Sequence, residues 1–430
     1  MSRVAVLGCG WAGVLASLRV KTLHPSTDVV CIGEDLGGLL RSASVGGYLF
    51  DIGGTHVVFS KDPAVLNGIL SLGGEWTRKA RRAYISLNGY LLPYPFENGI
   101  YVLPPEQRAR YGHSIISALL ENARHGERKP ANLRDWIVNT FGREVAEDYL
   151  IPYNEKIWKR PVDQISADWV YTPGRLPLPA LEDLVKAVAG METTGYKEQA
   201  YFYYPARGGI QSQFEAAYTK AAEAGVRFLT GVRIKEIKKT GERYLVNGEI
   251  EADRLVSTLP LREIPHMLNP APPEEVFKAA DRLDYNSVAV VGVGVRRRAP
   301  NQHWIYVPDR RYVFHRYAWI SNYLQDPPRD RAAVIAEIPI PPGAEIDRGY
   351  LIQKTLEGFA ELGVAREGDV EVVDVWIHKY GYPVYNLTHR ESRETVEKYL
   401  TQLGIVTVGR WGNWHYWNTD MIYKKISELI

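Results

Sequence analysis

The chain has 430 residues, of which 45% are hydrophobic and 24% are charged, and its formal net charge at pH 7 is +2. This length exceeds what one hydrophobic core usually holds, so two or three domains are expected. The nearly balanced charge argues against nucleic acid or another polyanion as a partner of the whole surface, and any basic site must be local.

Cysteine content and apolar runs restrict the location of the protein. The two cysteines, Cys9 and Cys31, offer neither a disulfide framework nor the spacing of metal ligands. No apolar stretch is long enough to span a bilayer, and the apolar N-terminal run is broken by glycines, unlike a signal peptide. We therefore expect a cytoplasmic protein with no metal site, no transmembrane segment and no nucleic-acid partner.

The N-terminal segment has the pattern of a dinucleotide-binding turn. Residues 4–7 predict a buried strand, and the next six residues read Gly-Cys-Gly-Trp-Ala-Gly, which is the Gly-x-Gly-x-x-Gly motif. Gly8 permits a tight turn, Gly10 lets the backbone approach a pyrophosphate, and Gly13 lets the next helix pack closely on the strand. A glycine turn with a purely structural role is the alternative.

The residues after this turn continue a β-α-β unit. Residues 14–23 predict a helix and residues 28–32 a second strand, and Glu34 then stands at about the distance expected for a carboxylate that binds a ribose. A further short strand ends in Gly53-Gly54-Thr55-His56, where the backbone can again approach a ligand. The two glycine turns therefore predict two places of ligand contact.

Residues 62–200 are predicted to be mostly helical. Apolar residues recur at four-residue spacing from Leu133 to Tyr149, and prolines within 93–95 and 177–179 interrupt the pattern. We interpret this segment as a helical domain inserted into the nucleotide-binding unit.

The rest of the chain combines the nucleotide-binding unit with a sheet. A helix ending near Gly225 precedes predicted strands at 226–229, 243–246 and 254–257, and alternating β-branched and aromatic residues from 288 to 338 predict an antiparallel sheet. A strand at 405–408 and a helix from about Asp420 close the chain. The predicted units are a dinucleotide-binding domain (1–61, 201–262 and 376–430), a helical domain (62–200) and a sheet domain (263–375).

A series of short motifs runs through the chain in a fixed order. The broader ones are residues 8–13, Gly37-Gly38-Leu39, residues 50–60 and residues 409–416. The narrower ones are Pro93-Tyr94-Pro95-Phe96, Pro152-Tyr153-Asn154, Arg207-Gly208-Gly209 and Ser321-Asn322-Tyr323. Together these segments resemble the flavin amine-oxidase-like superfamily and, within it, the eukaryotic-type UDP-galactopyranose mutases.

The resemblance implies a fold and a cofactor. The fold would be α/β, with a Rossmann-like FAD-binding domain, an inserted helical domain and an antiparallel β-sheet substrate domain. The cofactor would be FAD, active in its reduced form, with NADPH or NADH as a candidate reductant. The residues that the resemblance assigns to FAD are Gly8, Gly10, Gly13, Glu34, Gly37, Gly38, Gly53, Gly54, Val232, Gly409, Arg410, Asn418, Asp420 and Met421.

The resemblance also implies an activity, which is the interconversion of the pyranose and furanose forms of a UDP-sugar without net redox. N5 of reduced FAD would bond to the anomeric carbon as UDP leaves, while the protein orients the groups. A departing diphosphate calls for cations, and Arg175 and Arg316 match the family's two arginines at that position. His56 would lie beside the flavin. The residues matched to the substrate pocket are Arg81, Tyr94, Phe96, Trp158, Gln199, Tyr306, Tyr382 and Tyr416.

Simpler interpretations of the same residues exist. Most arginines form surface ion pairs, and most tyrosine rings pack in cores without touching a ligand. Arg81 lies in a basic cluster with Arg78, Lys79 and Arg82, which has the pattern of a solvated face. With 27 Tyr and 11 Trp in the chain, an aromatic surface could also support a homo-oligomer.

Two departures from the family pattern keep other functions open. Thr55 is inserted before His56, and two residues are missing just before Asn418. One alternative is an FAD-dependent oxidoreductase of the same fold, similar to amine oxidases or protoporphyrinogen oxidases, which would transfer hydride to the flavin. Another is a flavin-binding scaffold without chemistry. Fold alone does not separate these alternatives from the mutase.

Overall fold

The computed structural model describes residues 2–126, 129–171, 180–193 and 200–430. Two residues predicted from the resemblance, Arg175 and Gln199, lie outside the described residues. Among the helices of the described part, none combines the length and the apolar character that crossing a bilayer requires.

Strands and helices alternate along the described chain. The strands are β1 (Arg3–Gly10), β2 (Asp28–Gly37), β3 (Ser42–Val45), β4 (Tyr48–Asp51), β5 (Trp76–Ala80), β6 (Ala83–Leu87), β7 (Tyr90–Pro93), β8 (Tyr201–Pro205), β9 (Arg227–Leu229), β10 (Ile237–Thr240), β11 (Arg243–Val246), β12 (Ile250–Ala252), β13 (Arg254–Ser257), β14 (Leu268–Asn269), β15 (Asp284–Val295), β16 (Trp304–Tyr306), β17 (Arg316–Trp319), β18 (Ala332–Ile340), β19 (Val370–Val384) and β20 (Ile405–Thr407). The helices are α1 (Trp11–Leu23), α2 (Pro63–Leu70), α3 (Phe96–Gly99), α4 (Pro105–His125), α5 (Leu133–Val145), α6 (Ile151–Trp158), α7 (Leu181–Val188), α8 (Gln211–Glu223), α9 (Glu274–Arg282), α10 (Arg348–Glu361), α11 (His389–Gln402), α12 (Gly409–Gly412) and α13 (Thr419–Leu429).

A parallel sheet of strand order β20-β13-β1-β2-β9 holds the N-terminal strand at its centre. Alternate residues of β1 point to opposite faces. Val4 and Val6 share a core with α1, whereas Ala5 and Leu7 share a core with the smaller sheet β12-β11-β10-β14. Because both faces are covered, β1 is apolar throughout rather than alternating.

The turn between β1 and α1 accepts only glycine at its tightest point. A Cβ atom on Gly13 would lie 1.7 Å from the carbonyl oxygen of Gly8, which itself has φ +97°. The first turn of α1 therefore abuts the end of β1, and the N–H groups at its start are left without helical partners at the end of the sheet. This is the strand–turn–helix context that the glycine motif requires.

A large sheet of order β19-β15-β18-β17-β16-β6-β7 forms a second layer. Its neighbouring strands are antiparallel, except for β16 and β6, which are parallel. β18 is buried at every residue from Ala332 to Ile340, and part of its apolar contact comes from Leu351 and Phe359 of α10. Such complete burial explains the nearly continuous apolar run in its sequence.

One part of the segment predicted to be mostly helical forms strands instead. Residues 83–93 make the hairpin β6–β7, which extends the large sheet at its edge. Ala83, Ile85 and Leu87 are buried in alternation, and the turn at Asn88-Gly89 has positive φ at both residues. Asn-Gly is the dipeptide that this type of two-residue hairpin favours. The hairpin and residues 376–384 of β19 thus pair with the large sheet, and the division into three domains stays a prediction.

Helices α3 to α7 form the helical region. The residues at four-residue spacing, Leu133, Ile137, Phe141, Val145 and Tyr149, are all buried as the pattern predicts, although Gly142 has a non-helical backbone and kinks α5 between Phe141 and Val145. The chain enters and leaves this region beside a two-stranded ribbon, because β5 pairs antiparallel with β8. The protein therefore has the predicted α/β fold, with a Rossmann-like parallel sheet, an inserted helical region and a mainly antiparallel sheet.

Candidate active site

A cleft of about 1400 Å³, counting the open space at its mouth, lies where the parallel sheet unit, the large sheet and the helical region meet. Side chains from all three parts line it, so the fold brings together residues that are far apart in sequence. The predicted site residues that line the cleft are Gly53, His56, Arg81, Tyr94, Tyr306, Arg316, Tyr382, Arg410, Tyr416 and Asn418.

The cleft contains a buried ion pair between Arg316 and Glu337. These residues face each other across β17 and β18, and the pair is bidentate: Nε of Arg316 donates to Oε1 and Nη2 donates to Oε2, both at 2.8 Å. The Glu337 side chain is 2% exposed and the Arg316 side chain 18% exposed. The carboxylate therefore fixes one edge of the guanidinium, while the Nη1 edge is not used by this pair.

Two further groups hold the Glu337 carboxylate. The amide of Thr55 donates to Oε1 at 2.8 Å, and the hydroxyl of Tyr382 donates to Oε2 at 2.7 Å. Burial raises the pKa of Glu337, but the positive charge of Arg316 and these hydrogen bonds outweigh it and lower the pKa to about 2. Glu337 is consequently ionised at any working pH, and Thr55 is one of the residues that hold it.

A chain of aromatic and imidazole groups continues from this pair. The His315 ring contacts the Tyr382 hydroxyl through Nε2 at 3.3 Å and the Tyr153 hydroxyl through Nδ1 at 3.1 Å. Burial lowers the pKa of His315 well below its usual range, and the charge of Arg316 acts in the same direction. A neutral imidazole therefore links two tyrosine hydroxyls along the wall of the cleft.

His56 lies in the cleft as a neutral imidazole. Burial lowers its pKa to about 3, and the positive charges of Arg410 and Arg316 contribute to the shift. Its Nε2 atom is buried and has no hydrogen-bond partner among the described residues. A proton on both ring nitrogens is thus excluded near neutral pH, and Nε2 is left for a ligand.

Several buried polar atoms in the cleft wall have no hydrogen-bond partner in the part of the chain that the structure describes. They include Oγ1 of Thr55, Nε2 of His56, Nε1 of Trp169 and Oγ1 of Thr419. A buried polar group without a hydrogen bond costs free energy, so such groups usually bind water or a ligand. Their concentration in one cleft fits a bound polar molecule such as a flavin.

The residues assigned to the cofactor lie in one continuous region beside the cleft. The Gly10 backbone approaches Gly38, a Cβ on Gly53 would lie 2.0 Å from the Leu39 carbonyl, and a Cβ on Gly409 would lie 2.6 Å from the Ala12 side chain. Ten of the predicted cofactor residues lie at the ends of β1, β2 and β4, at the start of α1 and α12 and in the first turn of α13. They are Gly8, Gly10, Gly13, Gly37, Gly38, Gly53, Gly54, Gly409, Asp420 and Met421. We call this region the glycine cradle: its glycines let backbone segments approach one another where Cβ atoms would collide, which is the close packing of a dinucleotide-binding turn.

The remaining residues assigned to the cofactor lie at the edges of that region. Glu34 has a 62% exposed side chain and lies 3.9 Å from Arg233, and the amide of Val232 donates to the carbonyl of Gly33. Arg410 donates to the Trp417 carbonyl and lies over the Tyr416 ring. Asn418 is the N-cap residue of α13, whose first turn contains the buried Asp420.

Tyrosine rings form the opposite wall of the cleft. The Tyr94 and Tyr306 rings lie 5.0 Å apart, and Tyr382 and Tyr416 form an edge-to-face pair at 5.6 Å. Arg81 lies over the Tyr94 ring at 5.2 Å. The wall therefore alternates aromatic faces with guanidinium groups, which suits a ligand with both rings and anionic oxygens.

Two predicted substrate residues lie one layer behind this wall. The Phe96 ring stacks at 5.1 Å on Tyr149, and the Trp158 ring contacts Trp169 and Tyr416. Both side chains are almost fully buried. They support the residues that line the cleft, because other rings separate them from it.

Sequence reasoning missed the most connected residue of the site. Glu337 is the single charged residue in Ala332–Ile340, a strand that is otherwise apolar or proline. An isolated carboxylate in a buried strand is rarely tolerated without a partner, so this signal was present in the sequence. Tyr153, His315 and Trp169 were also overlooked, although Tyr153 lies in one of the motifs of the resemblance.

The comparisons with known proteins cover most or all of the chain. A profile of the family described as flavin containing amine oxidoreductase matches residues 32–391. The structure is similar to that of reduced UDP-galactopyranose mutase, with a TM-score of 0.88 and 24% identity over 100% of this chain and 93% of that one. It is also similar to a putative protoporphyrinogen oxidase from Exiguobacterium sp. 255-15, with a TM-score of 0.73 and 16% identity over 99% and 98% of the two chains.

An engineered putrescine oxidase is a third similar structure, with a TM-score of 0.65 and 16% identity over 100% of this chain and 99% of that one. At these identities the likenesses show a shared fold, which hosts both an isomerase and oxidases. The profile match covers most of the chain. The protein therefore belongs to the flavin containing amine oxidoreductase family and is a flavin-dependent enzyme.

Proposed function

We propose that this protein is a mutase similar to the eukaryotic-type UDP-galactopyranose mutases, which interconverts the pyranose and furanose forms of a UDP-sugar. The cofactor would be reduced FAD, with NADPH or NADH as the reductant. The observation that carries the proposal is the orientation of Arg316, whose guanidinium is clamped by Glu337 inside an aromatic cleft.

Arg316 would bind the diphosphate of the substrate. Glu337 occupies its Nε and one side of Nη2, so the Nη1 edge remains to donate to phosphate oxygens. Negative charge accumulates on the diphosphate as UDP leaves, and an immobile guanidinium stabilises that charge without reorganising. Arg175, which the resemblance pairs with Arg316, stays a prediction.

The tyrosines would divide between hydrogen bonding and exclusion of water. The Tyr306 hydroxyl accepts from Nε1 of Trp304 at 3.0 Å, so its own proton can be donated to a phosphate oxygen. Tyr382 already donates to Glu337 at 2.7 Å, so its ring rather than its hydroxyl would contact the substrate. Together these rings lower the local dielectric and strengthen the contact of Arg316 with the diphosphate.

The cofactor would lie along the glycine cradle with its ring near His56. When bound, reduced flavin supplies a nucleophilic nitrogen for the anomeric carbon of the sugar. The unpartnered Nε2 of His56 would exchange a hydrogen bond with the bound cofactor or the sugar as a neutral group. Arg410, at the start of α12, would place a positive charge near the same position.

The alternative is an oxidoreductase that takes hydride from an amine or a porphyrinogen. The observation that favours it is the Glu337 carboxylate, because it balances the charge of Arg316 inside an aromatic cleft. A mutase works only on the reduced flavin and returns it unchanged, whereas an oxidase consumes an acceptor. The two functions therefore differ in what happens to the flavin during turnover.

The deciding experiment combines flavin reduction with an Arg316→Ala variant. The dithionite-reduced protein is incubated with UDP-galactopyranose, products are separated by chromatography, and cyanoborohydride is added to trap a flavin–hexose species for mass spectrometry. We expect turnover only after reduction, and a loss of several orders of magnitude in Arg316→Ala with flavin still bound. Arg310→Ala, which removes an exposed arginine paired with Glu155, is the matched control.

Two results would contradict the proposal. Turnover of Arg316→Ala close to that of the wild type would remove Arg316 from the diphosphate site. Oxygen consumption with an amine or a porphyrinogen, together with no product from any UDP-sugar, would favour the oxidoreductase.

A further inference from the structure

A second concave surface, the basic pocket, lies beside β5 and the loop that precedes β16. Its cations come from three separate parts of the chain: Arg78, Lys79 and Arg82 around the end of β5, Arg298 after β15, and Arg329 before β18. Asp326 is the carboxylate that lines it, and Ala299 and Pro328 contribute apolar walls. The predicted basic cluster is thus divided, because Arg81 points into the cleft and its neighbours into the basic pocket.

The floor of the basic pocket is held by hydrogen bonds. Nδ1 of His303 accepts from the amide of Arg82 at 3.1 Å, and the amide of His303 donates to the carbonyl of Arg82 at 2.8 Å. The Asn322 side chain donates to the carbonyls of Pro300 and Gln302 at 2.7 and 2.6 Å. The Arg82 guanidinium donates to Asn301. The loop that carries Arg298 is therefore tied to the strand edge that carries Arg82.

The charge of the basic pocket is poorly compensated within the protein. Five cations face one carboxylate, and within the described residues Arg78, Arg82, Arg298 and Arg329 form no ion pair. Burial lowers the pKa of Lys79, the charge of Arg82 adds to this, and Asp326 opposes it. His303 is no counter-ion, because burial and the charges of Arg82 and Lys79 lower its pKa to about 3. Like charges around one pocket repel one another unless an anion lies between them.

We propose that the basic pocket binds a small ligand with two or more phosphate groups. The excess of four positive charges matches two phosphate dianions, and guanidinium groups from three directions give the several N–H donors that phosphate oxygens need. The pocket is concave, and the Asn322 side chain ties the carbonyls of Pro300 and Gln302 together in its floor. This shape favours a small molecule over an extended polymer or a lipid surface. This site differs from the proposed UDP-sugar site and does not depend on it.

The basic pocket touches the cleft through two aromatic residues. The Arg78 guanidinium lies 3.8 Å over the ring of Tyr201, which lines the cleft. The Phe202 ring, also in the cleft, contacts the His303 ring edge-to-face at 4.9 Å. A bound polyphosphate would hold Arg78 and thereby the Tyr201 ring, so occupancy of the basic pocket can be sensed in the cleft.

Tripolyphosphate is the probe, and calorimetric titration of the flavin-loaded protein at low ionic strength is the measurement. We expect binding that weakens with added salt, and at least about tenfold weaker binding in the double variant Arg298→Gln/Arg329→Gln, since two charge-assisted contacts are lost. Arg297→Gln is the matched control, because Arg297 lies on the same loop and donates to the Gly363 carbonyl instead. Flavin content and melting temperature show whether each variant is folded.

UDP separates the basic pocket from the cleft. Tripolyphosphate binding that persists with saturating UDP, and is lost in the double variant, supports the proposal whether or not the protein is a mutase. Binding that is equal in the wild type and the double variant, or that UDP abolishes, would assign tripolyphosphate to the cleft. No heat of binding would overturn the proposal, as would binding of phosphatidylglycerol vesicles without binding of tripolyphosphate.

Discussion

Replacing Glu337 by glutamine tests whether the buried ion pair fixes Arg316. The carboxylate accepts four hydrogen bonds, two from Arg316, one from the Thr55 amide and one from the Tyr382 hydroxyl. A glutamine keeps one acceptor oxygen. If its side-chain amide is oriented with the oxygen in the place of Oε1, the hydrogen bonds from Arg316 Nε and the Thr55 amide are preserved. The new amide nitrogen then faces Arg316 Nη2, donor against donor, whereas the Tyr382 hydroxyl can rotate and accept.

The expected cost is about 3 kcal/mol of unfolding free energy. One charge-assisted hydrogen bond, worth about 1.5–3 kcal/mol, is lost, and the buried guanidinium loses its counter-charge, a change that typically costs about 3–5 kcal/mol when one partner of a buried pair is removed. The bonds that remain offset part of this total. In a thermal melt followed by circular dichroism, the variant should unfold at a temperature roughly 3 °C below that of the wild type, because the unfolding entropy of a chain this long is large.

Glu274→Gln provides the control, because Glu274 forms an exposed i,i+4 pair with Lys278 and its side chain is 80% exposed. Removing such a surface pair should change the unfolding free energy by less than about 0.5 kcal/mol. If Glu337→Gln were no more destabilising than Glu274→Gln, the carboxylate would not be holding Arg316, and the geometric basis for the diphosphate site would fail.

The pH dependence gives an independent check of the same reasoning. The pKa of Glu337 is lowered in the folded protein to about 2, from an ordinary value of 4.5, so its stabilising effect is complete above pH 4.5. This effect is lost as the pH falls through about 2. The difference in melting temperature between the wild type and Glu337→Gln should therefore be constant from pH 6 to pH 8 and shrink below about pH 4. A difference that grew on acidification would contradict the assigned charge state.

Two further substitutions test the fold around the site. Asp51 is fully buried and accepts hydrogen bonds from Tyr204, Ser42 and the Ile210 amide, and burial raises its pKa from 3.8 to about 6. Its contribution to stability is therefore present below about pH 4 and is lost as the pH rises to 6. In parallel melts, the stability of Asp51→Asn relative to the wild type should rise by up to about 3 kcal/mol between pH 4 and pH 7. An unchanged difference over that range would refute the raised pKa. Gly13→Ala would bring a Cβ to 1.7 Å from the Gly8 carbonyl, so the protein should purify with little flavin absorbance, whereas Gly368→Ala, with open space around the glycine, should retain it.

The parts of the fold that sequence predicted well are those with local signals. The strands at 243–246 and 254–257 lie where the alternation of apolar residues placed them, and the buried positions from Leu133 to Tyr149 follow the helical spacing. The glycine motif lies between β1 and α1, where the tight contact of Gly13 is with the carbonyl of Gly8, five residues earlier in the chain. Local chemistry of this kind can be interpreted without knowing the fold.

The parts that were missed depend on contacts between distant segments. Glu337 and Arg316 are partners because β17 and β18 are in one particular register, and a shift of one residue would place them on opposite faces. The hairpin at 83–93 has a local Asn-Gly signal, but its position at the edge of the large sheet depends on β16, which lies far along the chain. Arg175 and Gln199 lie outside the described residues, and their roles stay predictions.

The β5–β8 ribbon has a consequence for how such an enzyme diversifies. The amide of Arg81 donates to the Ala200 carbonyl and the amide of Tyr94 donates to the Ala83 carbonyl, so the segment between Tyr94 and Ala200 starts and finishes at neighbouring points. A segment with adjoining ends can be exchanged as a cassette while the glycine cradle and the large sheet keep their own contacts. Recombination at this ribbon would therefore change the helical side of the cleft, and with it the ligand preference, while the glycine cradle stays the same.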